Sequence, residues 1–306
     1  MNTRPPLILL YLLFFVNVLL FGSSWMFNKI VLEEGASPIW AAAIRQSIAA
    51  LVFLLVFFIK RPAVRLNKKQ VRLIVFYGVF MMALAHVFAF SGQGHIGSGL
   101  ASIVFSFFPL AIVIISSILI PKSEPLTVKK VAGTIVGLAG IVVIFYTRGG
   151  TEAEGSRVLG IFLILLSVFV NALPNVVIKR DGAELDPLVL NTFGFLIAAP
   201  LLLLFALIFE GLPGFAFTPK MLLSELYLGI LCSALGFFLY FYLLRHISVF
   251  KMALSAYLTP VVAVMLGYLF FDEKLSIDHY IGMFLIFTGI FITEIKHYVK
   301  RRPEIL

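Results

Sequence analysis

The chain repeats itself, and it does so in long apolar segments. His95-Ile96 opens a stretch that reaches Pro109 and then Glu124, Leu126, Thr127, Gly133 and Gly140. His246-Ile247 opens a second that reaches Pro260 and then Glu273, Leu275, Ser276, Gly282 and Gly289. The offset is 151 residues as far as the prolines and 149 beyond them. A duplicated unit of membrane-length apolar runs points to a secondary transporter, with its solute site between the two halves.

Composition excludes an ordinary soluble domain. Hydrophobic residues make up 61% and charged residues 13% of 306, where globular proteins hold roughly 45–50% and 25%. A helix needs about 20 apolar residues to cross the hydrocarbon core. Ten such spans are predicted: Leu7–Val31, Pro38–Ile59, Val71–Ser91, Gly97–Ile120, Leu126–Tyr146, Val158–Ile178, Pro187–Phe209, Leu222–Leu244, Phe250–Phe271 and Ile277–Ile295. The first run continues through Trp25-Met26-Phe27 and is read as a span, although Gly22-Ser23-Ser24 loosely resembles a signal-peptide cleavage region. The runs are apolar all round, which fits helices and not the alternation of barrel strands.

The net charge of +9 has a membrane explanation. The termini and the 2–3, 4–5, 6–7 and 8–9 connections carry 18 of the 24 Lys and Arg. The other connections carry four, Arg148, Arg157, Lys220 and Lys274. Lys and Arg bias sets orientation, so both termini are expected in the cytoplasm and the protein in the cell (inner) membrane. Five spans per repeat is an odd number, so the repeats, expected over residues 1–148 and 149–306, must cross the bilayer in opposite senses. The expected fold is all-α and integral to the membrane, ten transmembrane helices in two inverted five-helix repeats. Such an arrangement can expose a central site to each side in turn.

Several motifs carry a family resemblance. They are Phe21-Gly22-Ser23-Ser24-Trp25 with Asn28-Lys29, Pro38 followed by Arg45, and Gly99-Leu100-Ala101-Ser102 running into Phe108-Pro109. Asp186-Pro187, Tyr257-Leu258-Thr259-Pro260 through Gly267, and Asp272-Glu273-Lys274-Leu275 complete the set. In order and spacing, over nearly the whole chain, the sequence resembles the EamA-type drug/metabolite transporters. That resemblance implies ten helices in two repeats and ATP-independent export or exchange of amino acids and other small metabolites.

Polar residues inside spans are costly, on the order of 2.5–3.5 kcal/mol for a charge at mid-bilayer, and usually face a cavity. Arg45 is read either as the attractor of a substrate carboxylate or phosphate, or as a structural cation that pairs with carbonyls or snorkels. Lys29 shares a helix face with Gly22 and Trp25; it either snorkels or joins a stripe suited to an amphipathic solute, and Trp25 either lines the cavity or belongs to an interfacial belt. Asn171 and Asn175 flank Pro174 at a four-residue spacing and are read as cavity-lining around a broken helix, or as interhelical glue. His86 is the one histidine deep in a span, structural or proton-carrying. Ser102 belongs to the Ser98, Ser102, Ser106 series, which suits small-xxx-small packing as well as a cavity wall. Tyr240 and Tyr257 complete the substrate-binding candidates, with Asn17 and Asn191 weaker ones. Pro109 and Pro260 are expected as symmetry-related kinks.

Gly92-Gln93-Gly94-His95-Ile96-Gly97 matches a dinucleotide-binding pattern by letter, but it joins two spans and is read as a tight turn. Gly133 and Gly137 are read as a helix-packing pair. No carboxylate is expected near the middle of a span, and with cationic Arg45 and Lys29 this points to an anionic or zwitterionic solute. The five histidines and single cysteine show no metal-ligand spacing. No cofactor, metal or nucleic acid is expected; the partners are a small-molecule substrate and the lipid bilayer, with the chain a monomer or weak homodimer. A membrane enzyme acting on a lipid-like substrate is the alternative, and it would require clustered acids, histidines or nucleophiles. A channel would require a ring of charges at one level. Neither pattern is present.

Overall fold

The computed structural model describes residues 6–62, 64–121, 127–146, 154–182, 185–246 and 255–299. These form ten helices and no strand. They are α1 (Leu7–Glu33), α2 (Pro38–Lys60), α3 (Lys68–Gln93), α4 (Ser98–Leu119), α5 (Val128–Tyr146), α6 (Glu154–Asp181), α7 (Pro187–Phe209), α8 (Pro219–Leu243), α9 (Ser255–Phe271) and α10 (Ile277–Val299). Helices α1–α4 and α6–α8 are long and apolar enough to cross a bilayer. Apolar side chains such as Leu19, Leu51, Phe58, Ile208 and Phe284 stand exposed around the bundle, as lipid contact requires.

Local chemistry sets the helix starts. Proline occupies the first turn of α2, α7 and α8, where a missing N–H costs nothing. Asp186 caps α7 by accepting from Leu188 N at 2.7 Å, and Thr218 caps α8 by accepting from Met221 N at 3.1 Å. The end of α7 serves the start of α2: the Glu210 carboxylate accepts from Ser37 Oγ at 2.7 Å, Ile39 N at 2.9 Å and Trp40 N at 3.0 Å.

The inversion is visible in helix contacts. Gly133 of α5 meets Gly289 of α10 so closely that a Cβ on either would lie 2.4 Å from the other's carbonyl oxygen. Gly140 and Gly282 meet in the same way. Positions 133 and 282 are repeat equivalents, as are 140 and 289, so the pairing is exchanged between the halves, the signature of a two-fold axis. Because the rising number on one helix faces the falling number on the other, α5 and α10 run antiparallel.

Two features depart from simple spans. Within α3 the stretch Tyr77–Leu84 is π-helical, and within α8 so is Tyr227–Leu235; the two are repeat equivalents. Helix α4 breaks at Ser106–Phe107, with Pro109 in the first turn of the second segment, as the expected kink requires. The expected break at Pro174 does not occur: α6 runs unbroken through it. Asn175 Nδ2 donates to the Asn171 carbonyl at 3.1 Å, supplying a local partner beside the proline. Helix α9 likewise runs through Pro260 without interruption.

Candidate functional site

A cavity lies between the halves, walled by α1, α2, α3, α4, α6, α8 and α9. Most of its wall is apolar and aromatic: Phe21, Trp25, Phe90, Phe105, Phe108, Phe237 and Tyr240. Small hydroxyls such as Ser24, Ser167 and Thr259 are interspersed, and the larger polar groups are Asn28, Arg45, His86 and Asn171, with Ser102 beside them. A largely apolar concavity with a handful of convergent polar groups is the usual form of a small-molecule site.

Arg45 is the cation of this wall. It is 4% exposed, and its partners are neutral. Nε donates to Ser233 Oγ at 2.7 Å, and a terminal nitrogen donates to Asn28 Oδ1 at 3.1 Å. The guanidinium carbon lies 6.0 Å from the centre of the Phe90 ring. Asn28 is held in turn by Gln93, whose amide also donates to the Trp25 carbonyl. Among the described residues no carboxylate forms an ion pair with Arg45. A buried cation whose hydrogen-bond partners are all neutral keeps donor capacity for an anionic one.

Of the residues singled out from the sequence, Trp25, Arg45, His86, Ser102, Asn171 and Tyr240 line the cavity together. Trp25 is buried, with its ring centre 5.4 Å from that of Phe105, so it is not an interfacial belt residue. His86 Nδ1 holds the Met81 carbonyl at 3.1 Å. Ser102 Oγ is buried on the wall with no hydrogen-bond partner among the described residues, while Ser106 Oγ is satisfied by the Ile103 carbonyl at 2.6 Å. Asn175 stands behind the wall, accepting from Tyr240 Oη at 3.4 Å. The Tyr257 side chain lies outside the described residues. Asn17 and Asn191 are structural: Asn17 Nδ2 donates to Gly236 O at 2.8 Å, and Asn191 Oδ1 accepts from Tyr77 Oη at 2.7 Å. Asn28, Gln93 and Ser233 were not legible as a group, because they meet only through folding.

Lys29 does not line the cavity and pairs instead at the end of the bundle. Its Nζ lies 2.8 Å from Glu273 Oε1. The same carboxylate accepts from Ser98 N at 2.8 Å, Ser98 Oγ at 2.9 Å and Gly99 N at 2.8 Å. It therefore sits at the N-terminus of α4, where free amides and the helix dipole favour an anion. Gly267 makes room: a Cβ there would fall 2.5 Å from Glu273 Oε2. Burial raises the Glu273 pKa, but Lys29 and the Gly99 and Ser98 amides outweigh it and hold the carboxyl below its ordinary value. This latch ties α1, α4 and the end of α9 together at one end of the bundle.

No acid stands at mid-span, but one near a helix start is buried. Glu225 of α8 is 1% exposed, and neither carboxyl oxygen has a hydrogen-bond partner among the described residues. The helix starts at Pro219, earlier than expected, which carries Glu225 inward. A buried acid is thus present, although it does not line the cavity. The six-residue segment Gly92–Gly97 is the expected turn, with Gly94 N donating to Phe90 O at 3.0 Å.

Comparison with known proteins agrees with this geometry. Residues 8–146 and 158–295 each match the EamA-like transporter family. An uncharacterized transporter, YoaV of Bacillus subtilis, is 26% identical over 275 residues, 90% of this chain and 92% of the relative. Protein PagO of Salmonella typhimurium is 24% identical over 283 residues, 92% and 91% of the two chains. One solved crystal structure of a protein shares the fold with a TM-score of 0.67 at 23% identity, covering 94% of this chain and 98% of that one.

Proposed function

Since the chain belongs to the EamA-like transporter family, and is a membrane transporter rather than an enzyme, we propose that it carries a small anionic or zwitterionic metabolite, amino acids or related compounds, by alternating access. In this reading the protein is an exporter or exchanger of the cell membrane, with both termini in the cytoplasm. The observation that carries it is Arg45: a buried cation on the wall of an aromatic cavity, held only by neutral groups. A substrate carboxylate would complete its coordination, and a charge-assisted hydrogen bond of that kind contributes about 1.5–3 kcal/mol. The apolar body of the solute would lie against Trp25, Phe90 and Phe237. Trp25, His86, Ser102, Asn171 and Tyr240 are assigned to substrate contact with Arg45, and Asn175 to positioning Tyr240. The Lys29–Glu273 latch keeps one end of the pathway shut.

The test is exchange by purified protein in liposomes preloaded with candidate solutes. Arg45→Ala and Trp25→Ala are expected to lower exchange of the accepted solute about tenfold or more while keeping the elution profile of folded protein. Full exchange by both variants would remove the cavity from the transport path.

A further inference from the structure

The helix crossing that holds Arg45 occurs twice, and only one copy is charged. In the second half, Gly229 of α8 packs on α2: a Cβ there would lie 2.5 Å from Ile48 Cβ and 3.1 Å from the Arg45 carbonyl. In the first half, Gly78 of α3 packs on α7: a Cβ there would lie 3.0 Å from Ile197 Cβ and 2.7 Å from the Gly194 carbonyl. Gly229 and Gly78 are repeat equivalents, as are Ile48 and Ile197, and Arg45 and Gly194. Glu225, Gly229 and Ser233 form one stripe of α8, spaced at four residues. Its counterpart on α3 is Ile74, Gly78 and Met82, with Ile74 and Met82 buried. The same crossing is therefore built elsewhere in this molecule with no charge at all. Packing does not require Arg45 or Glu225, and burying either has a cost of several kcal/mol unless it is compensated.

Along the charged stripe, Ser233 Oγ accepts a hydrogen bond from Arg45 Nε, Gly229 packs on the Arg45 backbone, and Glu225 stands one turn nearer the helix start. Glu225 and Arg45 lie at similar depth, six residues after Pro219 and seven after Pro38, roughly 10 Å along each helix. Arg45 is the charge at the crossing against which this stripe packs. The other ionisable groups near this part of α8 are committed. Lys29 of α1 is paired with Glu273, and Lys220 of α8 with Glu34 at 3.1 Å. Tyr227 Oη lies 2.8 Å from Ser23 Oγ of α1, and Cys232 Sγ donates to the Leu20 carbonyl at 3.1 Å.

We propose that Glu225 is the proton-binding site of the transporter, and that it and an anionic solute compensate Arg45 alternately. With the cavity empty, the ionised carboxylate balances the guanidinium. When a solute carboxylate reaches Arg45, Glu225 takes one proton from the open side. Solute and proton then leave together on the other side, where the Glu225 carboxyl gives up that proton and is ionised again. One proton accompanies one negative charge, so the step is electroneutral. An inward proton gradient opposes net export under this scheme, which selects exchange of the two modes given above. The inference rests on Arg45 as the solute site and adds the coupling ion.

Infrared difference spectroscopy on the purified protein tests it, with phenylacetate as the probe because it joins a ring to one carboxylate. Adding phenylacetate near neutral pH is expected to raise the protonated-carboxyl band, and Glu225→Gln to abolish that rise. In liposomes, with the passive uptake of phenylacetic acid by protein-free vesicles subtracted, the initial rate of labelled phenylacetate uptake by wild type is expected to rise several-fold with an inward proton gradient. Glu225→Gln should exchange phenylacetate without responding to the gradient. Binding of phenylacetate with no change in Glu225 protonation would overturn the proposal alone. Absence of binding would overturn the reading of Arg45 as the solute site, and the proposal with it.

Discussion

At the scale of single residues, the cavity mixes groups already satisfied by the protein with groups left for a ligand. His86, Asn28 and Ser106 have protein partners; Ser102 Oγ has none among the described residues. Removing an unpartnered buried hydroxyl should not weaken the fold, because the folded state loses no hydrogen bond. Ser102→Ala is therefore expected to unfold at the same temperature as wild type or slightly higher. If its hydroxyl meets the solute, KM should rise about two- to tenfold, the worth of one neutral hydrogen bond of about 0.5–1.5 kcal/mol. Thermal unfolding and liposome kinetics on one preparation check both halves of this expectation. Trp25 and Arg45 stood out in the sequence because a charge or indole inside an apolar span needs a reason, while an interfacial belt for Trp25 and a structural cation for Arg45 stayed open there. The partner of Lys29 was not legible, since it lies 244 residues away and no local pattern announces it.

At the scale of elements, the glycines of α5 and α10 decide how closely the two halves approach. A side chain at Gly133 would drive its Cβ into the Gly289 carbonyl, a backbone atom that cannot step aside. Gly133→Val is expected to destabilise the protein by about 1–3 kcal/mol or more through overpacking, read as a lowered Tm in detergent. Gly155→Ala, where nothing lies within 4 Å, should leave Tm unchanged. The spans were legible to within a few residues because the bilayer demands apolar length. The π-helical stretches of α3 and α8 and the unbroken course of α6 through Pro174 were not, since they depend on what the neighbouring helices and side chains supply to the freed backbone groups.

At the scale of the whole molecule, the Glu273 latch is the tie that must open if the cavity is to face the other way. Its carboxyl pKa is held down, so the latch is intact above the ordinary carboxylate value of 4.5 and weakens as pH falls through the lowered one. Glu273→Gln should mimic that acid state at neutral pH. In a Cys232→Ser background, Ser24→Cys on the cavity wall is expected to react with an impermeant maleimide from the latch side several-fold faster when Glu273→Gln is added. Equal rates would show that the latch does not guard the cavity. Amino-acid order alone determined that this chain lives in a bilayer, that it is a doubled five-helix unit, and that the halves oppose one another; apolar length, repeat offset and an odd span count are linear properties. Only the tertiary structure decided that Arg45 has neutral hydrogen-bond partners, that Lys29 belongs to a latch, and that Glu225 is buried with no hydrogen-bond partner among the described residues. Those facts depend on which distant side chains arrive at the same point, and pairing across more than a hundred residues leaves no mark in local sequence.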